Sequence, residues 1–145
     1  MIKNIQHDLA WKISAFFNFD VKADEKIKIK FALSNTSTAG ALKNLEAEIP
    51  HWDFEKTKQE TQNKWNTELS KVIVETETLE QKETFYSALY HTMLSPVIYE
   101  DVDGQYRGLD QNIHQSDGFT NYTIFSLWDT YRALHPLFNI LQPER

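Results

Sequence analysis

The sequence contains no cysteine. That excludes disulfides, thiolate metal sites and a cysteine nucleophile, and it leaves the compartment open. Glycine and proline number four each among 145 residues, too few for a fibrous or low-complexity chain. No run approaches the ~20 consecutive apolar residues of a membrane span. The opening ten residues are polar and include Lys3, His7 and Asp8, so they do not form the apolar segment of a secretory signal. Excess positive charge is missing too. Fifteen basic residues stand against 21 acidic ones, a net charge of −6. Without a basic stripe carrying interleaved aromatics, nucleic acid is excluded as a partner. There is no glycine-rich phosphate loop, and Ser126 lies outside any nucleophile elbow, which removes a serine hydrolase.

What is present is globular in composition, with 41% hydrophobic and 25% charged residues. The length is that of one ordinary domain. Aromatic residues make up 13%. Core packing is their usual use, but flat rings also stack on pyranose faces.

The first third reads as β. Residues 13–19 are apolar and aromatic. Residues 26–33 alternate, with Ile27, Ile29, Phe31 and Leu33 on one face and Lys26, Lys28 and Lys30 on the other. Residues 20–25 between them suit a hairpin loop. Two strands do not make a stable sheet. The remainder offers no comparable strands, so the chain is expected to begin inside a β-domain whose earlier part is missing.

Helices follow. Ser37 and Thr38 precede Ala41, Leu42, Leu45 and Ile49 at helical spacing, and Pro50 closes the segment. Asp53 caps a second helix running to about residue 71, with Trp65, Leu69 and Val72 on its stripe and a solvated middle over residues 55–64. A third runs from about Leu79 to Leu94. Its double-width stripe of Phe85, Tyr86, Leu89, Tyr90, Met93 and Leu94 suits a helix covered on two sides. Asp101, Val102, Asp103 and Gly104 form a turn between two aromatic-bearing runs. A fourth helical segment begins near Ser126, with Leu127, Tyr131, Leu134, Phe138 and Leu141 along one face. Pro136 must kink or split it. Strands followed by helices indicate an α+β chain in which two domains are joined.

Few residues suggest chemistry directly. Asp101, Asp103 and Gly104 match part of a calcium loop, but the further ligands are not at the required spacing, and a turn explains them better. His91, on a helix among apolar residues, is expected in the core. His114 lies in a polar loop. Asp129 and Arg132 are three apart on a helix and can meet, beside Trp128. Two readings stay open there. One is an intrahelical ion pair next to a core tryptophan. The other is a sugar-binding corner, in which carboxylate and guanidinium take adjacent hydroxyls and the ring closes the apolar side.

Several blocks resemble the family 92 glycoside hydrolases, exo-acting α-mannosidases. They are residues 15–19, 29–34, 38–54, 85–91, 103–108 and 122–143. The most specific is residues 126–137, with Trp128, Asp129, Thr130, Tyr131 and Arg132 at its centre. The resemblance implies a β-sandwich, a helical linker and an (α/α)6 barrel. Residues 1–36 would then end the sandwich, 37–78 form the linker and 79–145 start the barrel. It further implies inverting, calcium-dependent removal of terminal α-1,2-linked mannose from mannose-containing glycans, and a periplasmic or extracellular home. An inverting pair of carboxylates stands about 6.5–9.5 Å apart. The family motifs that carry that pair have no match in this chain. No residue is therefore assigned as acid or base, and the calcium ligands are expected in the remainder of the parent chain. Asp129, Arg132 and Trp128 are carried over as mannose-pocket residues, and Tyr106, Arg107, Gly108 and His114 as the loop facing that pocket. The competing readings are a stand-alone carbohydrate-binding module and a helical interaction protein using the solvated face of residues 55–64.

Overall fold

The computed structural model describes residues 16–145. In chain order it holds α1 (Thr38–Glu48), α2 (Phe54–Leu69), α3 (Leu79–Thr92), β1 (Gln105–Arg107), β2 (Ile113–Gln115), α4 (Leu127–Thr130) and α5 (Leu134–Leu141). The long helices start where short polar side chains can take up orphan backbone N–H groups. The Ser37 side chain accepts from Gly40 N, that of Asp53 from Lys56 N and that of Thr78 from Gln81 N. The last of these is a full capping box, because Gln81 also bonds back to Thr78.

Neither early strand forms among the described residues. Residues 13–15 lie outside the described part, and residues 16–34 contain no ladder. A turn does occur at Ala23 and Asp24, where Glu25 N donates to Lys22 O. The flanking residues find no partner strand among the described residues. Their apolar stripe stays open, with Ile29, Phe31 and Leu33 all above 70% exposed. The lysine face is the one that meets the protein. Lys30 Nζ donates to the carbonyls of Ile49 (2.8 Å) and His51, and sits 4.5 Å from the Trp52 ring centre. Lys28 Nζ donates to Trp52 O. These carbonyls follow the C-terminus of α1, where acceptors lack helical partners and the dipole favours cations.

The helices pack sparsely. Leu89 is the one large apolar side chain buried among the described residues. Trp65 of α2 meets Tyr90 of α3 edge-on at 4.5 Å, and Tyr86 Oη donates to Val72 O. The middle of α2 is solvated, as its sequence predicts. His91, expected in the core, is exposed, because α3 is covered on one side only. On α1 the buried positions are Gly40 and Asn44, while Leu42 is exposed.

The last helical stretch is not one helix. It breaks between α4 and α5 at Ala133, which adopts a left-handed conformation (φ 64°). Pro136 is the third residue of α5, where its missing N–H costs no helical bond. The proline is thus accommodated by starting a new helix rather than by kinking an old one. His135 Nε2 bonds Thr130 Oγ1 at 2.9 Å across the break, and Phe125 packs edge-on to His135 and near Phe138.

Candidate functional site

Strands β1 and β2 pair antiparallel, with Tyr106 opposite His114. A second pairing lies alongside. Ile98 bridges Tyr122, Tyr99 N donates to Asn121 O and Thr123 N to Val97 O. Between the two lies a groove of about 470 Å3, lined among others by Tyr99, Tyr106, Arg107, Gly108, Asn121 and Tyr122. Three tyrosine rings with amide and guanidinium groups are the kind of lining that takes a polyhydroxylated ring ligand.

Each wall residue is held locally. The turn before β1 closes through Gly104 N to Asp101 O, with Gly104 at φ 80°. The Arg107 guanidinium spans two backbone carbonyls: Nε donates to Asn35 O at 2.8 Å and Nη1 to Gln111 O at 2.7 Å. Gly108 lies against an Asp110–His114 pair whose closest contact is 2.9 Å. A Cβ at Gly108 would come within 2.6 Å of Asp110 Oδ1 and 2.7 Å of His114 Cδ2, so a larger residue there would require the Asp110–His114 pair to shift. The His114 ring, followed by the Asn112 side chain and N–H, pulls the Asp110 carboxyl down to about 2. The Tyr106 and His114 rings lie 5.6 Å apart.

Tyr106, Arg107 and Gly108 line this groove, and His114 stands opposite Tyr106 in the hairpin without being among the lining. Trp128, Asp129 and Arg132 are not among the lining of this groove. Nor do Asp129 and Arg132 form the expected helical pair. The helix ends at Thr130, and Arg132 Nε donates instead to Tyr131 Oη at 2.7 Å. Trp128 is no core residue either, being 87% exposed.

One site residue was missed by the sequence reading. Asp101, taken as an ordinary turn residue, is 4% exposed. Its Oδ1 accepts from Asn44 Nδ2 at 2.8 Å, and its Oδ2 accepts from Ser34 Oγ at 2.8 Å and from Thr36 Oγ1. Burial opposes its ionisation, but the donors Thr36, Asn44 and Ser34 outweigh it and hold the carboxyl below its ordinary value. Asp103 is engaged by Lys43 Nζ at 2.6 Å. Both carboxylates of the suspected calcium turn are thus committed to protein donors. Among the described residues no three His, Asp or Glu side chains gather as a metal would require. The residues described do not fit a calcium site.

The sequence pattern of the glycosyl hydrolase family 92 catalytic domain matches residues 40–145. The chain belongs to that family. A solved family 92 α-mannosidase from Bacteroides thetaiotaomicron is 48% identical over 73% of this chain, with a TM-score of 0.66. The same enzyme has been solved in complex with mannoimidazole. A second solved family 92 glycosyl hydrolase is 27% identical over 76% of the chain, with a TM-score of 0.70. An uncharacterized secreted glycosidase of Arthroderma benhamiae is 29% identical over 94 residues, 61% of this chain. The chain spans 14% and 15% of the two solved chains and 12% of the fungal one.

Proposed function

We propose that this chain is the junction and opening part of an inverting, calcium-dependent α-mannosidase that removes terminal α-1,2-linked mannose from glycans. The observation that carries the reading is its 48% identity to an α-mannosidase over 73% of the chain; the family match over residues 40–145 takes in both the tyrosine-lined groove and the segment around Asp129. Residues 1–36 belong to a preceding sandwich domain, 37–78 to the linker and 79–145 to the first barrel helices. The start of the family match at residue 40 and the open apolar stripe of Ile29, Phe31 and Leu33 both favour a boundary near residue 36. A strand that has lost its sheet leaves such a stripe.

Asp129 and Arg132, freed from each other by the break after α4, take sugar hydroxyls. Trp128 offers an exposed ring for the apolar face of the pyranose. Tyr106 and Gly108, in the separate groove beside the hairpin, with His114 opposite Tyr106, belong to the loop that faces the glycan. The inverting acid and base, about 6.5–9.5 Å apart, lie outside this chain, and so do the calcium ligands. No step is assigned to the ion here. Export from the cell goes with the reading, since the fungal relative is described as secreted.

The test is mannose release from α-1,2-mannobiose by the isolated chain and by the full gene product. Turnover by the full product and none by the isolated chain is expected. Turnover by the isolated chain would overturn the division of roles.

A further inference from the structure

Four consecutive residues before α1 are each held by a side chain from later in the sequence. Leu33 O accepts from Asn44 Nδ2 at 3.0 Å, and Asn35 O accepts from Arg107 Nε at 2.8 Å. Ser34 Oγ and Thr36 Oγ1 both donate to the buried Asp101. These partners lie 11 to 72 positions away, so the clasp is tertiary rather than local. It also leads directly into the groove. Asp101 N donates to Gln105 O at the start of β1. Asn44 Oδ1 accepts from Val102 N in the same turn. Arg107, which grips Asn35 with one nitrogen, grips Gln111 O with another, and both Arg107 and Gln111 line the groove.

We propose that residues 33–36 set the register of the groove wall. In this arrangement Ser34 and Thr36, acting through Asp101, and Asn35, acting through Arg107, are positioning residues for Tyr106 and Arg107. The physical reason is the stiffness of the links. A buried carboxylate with three donors cannot move without stranding them. A guanidinium spanning two carbonyls fixes both by its planar fork. Whatever shifts residues 33–36 therefore shifts the wall that carries Tyr106. Arg107 then acts chiefly as a brace, with most of its donor geometry already spent on backbone. Only the description of the groove as a sugar wall rests on the mannosidase reading; the mechanical link does not.

Amide hydrogen exchange separates the two. In the full gene product, Thr36→Val keeps the shape and removes the hydroxyl, whereas Thr36→Ser keeps the hydroxyl. Exchange across residues 105–115 is expected to rise roughly tenfold in Thr36→Val and to stay at the wild-type level in Thr36→Ser. Arg107→Lys, which keeps the charge and loses the fork, should raise exchange in both 105–115 and 33–36. Should Thr36→Val loosen the whole chain, Ser34→Ala reads the same link with one donor left on Asp101 Oδ2. Faster exchange confined to residues 33–38, with 105–115 unchanged, overturns the proposal. Absence of mannose release by the wild-type full gene product, with the exchange pattern as expected, would sink the mannosidase reading and leave this link standing.

Discussion

The Asp101 carboxylate accepts a hydrogen bond from the Asn44 amide at 2.8 Å, joining the hairpin turn to α1 across 57 positions of sequence. Gly40, one turn before Asn44 on the same helix, presents its bare Cα to that carboxylate. A Cβ there would collide with Asp101 Oδ2. The carboxylate cannot swing aside, because Ser34, Thr36 and Asn44 hold it. Gly40→Ala is therefore expected to destabilise the chain by about 1–3 kcal/mol, even though alanine is the better helix former. Asp101→Asn, which sets a donor against donors, is expected to cost about 1–3 kcal/mol. Urea denaturation followed by tryptophan fluorescence checks both. An unchanged midpoint in Gly40→Ala would show that the helix does not approach the turn this closely.

The Asp110–His114 pair gives a signed pH dependence. The folded pKa of Asp110, about 2, lies below the ordinary aspartate value of about 3.9. A depressed carboxylate stabilises the fold when ionised. Its contribution is present above about pH 4 and is lost as pH falls towards 2. Amide shifts of Gln111 to His114, followed by NMR, should titrate with a midpoint near pH 2 rather than near the ordinary aspartate value of about 3.9. The same shifts should stay flat over that window in Asp110→Asn.

The break between α4 and α5 makes a third prediction. Ala133 pays for its left-handed backbone with roughly 1 kcal/mol of strain, so Ala133→Gly should be neutral to slightly stabilising. Pro136 gives up no helical bond, and Pro136→Ala should change stability by less than about 0.5 kcal/mol. A large loss from either substitution, read from thermal midpoints, would mean that residues 127–141 run as one helix.

The apolar stripe of Ile29, Phe31 and Leu33, with the exposed ring of Trp128, predicts how the isolated chain behaves. It should bind the dye ANS strongly and melt over a broad range, because so little apolar surface is covered. Ile29→Lys together with Phe31→Lys should remove most of the dye signal without shifting the far-UV spectrum. A sharp two-state transition with no dye binding would show that the stripe is covered.

Much of the helical layout was legible because its signals are local. Ser37, Asp53 and Pro50 mark helix ends within one turn of themselves, and the Asp101 to Gly104 turn follows from its residue types. The hairpin that carries Tyr106, Arg107, Gly108 and His114 is likewise a local feature, its turn closed within a few residues. Other features were set by distant partners. The lysine face of residues 26–33 turned inward because the carbonyls after α1 needed donors, which the alternation of that segment does not reveal. His91 lost its expected burial because α3 is covered on one side only. The Asp129–Arg132 spacing was sound for a helix that in fact stops at Thr130. Asp101 read as an ordinary turn residue because its three donors, Ser34, Thr36 and Asn44, lie 67, 65 and 57 positions away.

The central claim is that this chain forms part of the mannose-binding machinery of an inverting α-mannosidase. It is tested most directly by following α-1,2-mannobiose hydrolysis by the full gene product with proton NMR, comparing wild type and Asp129→Ala. The account predicts that β-mannose appears first and that the substitution lowers kcat/KM by roughly 100-fold or more. Absence of mannose release, α-mannose as the first product, or equal rates in the two proteins would contradict it.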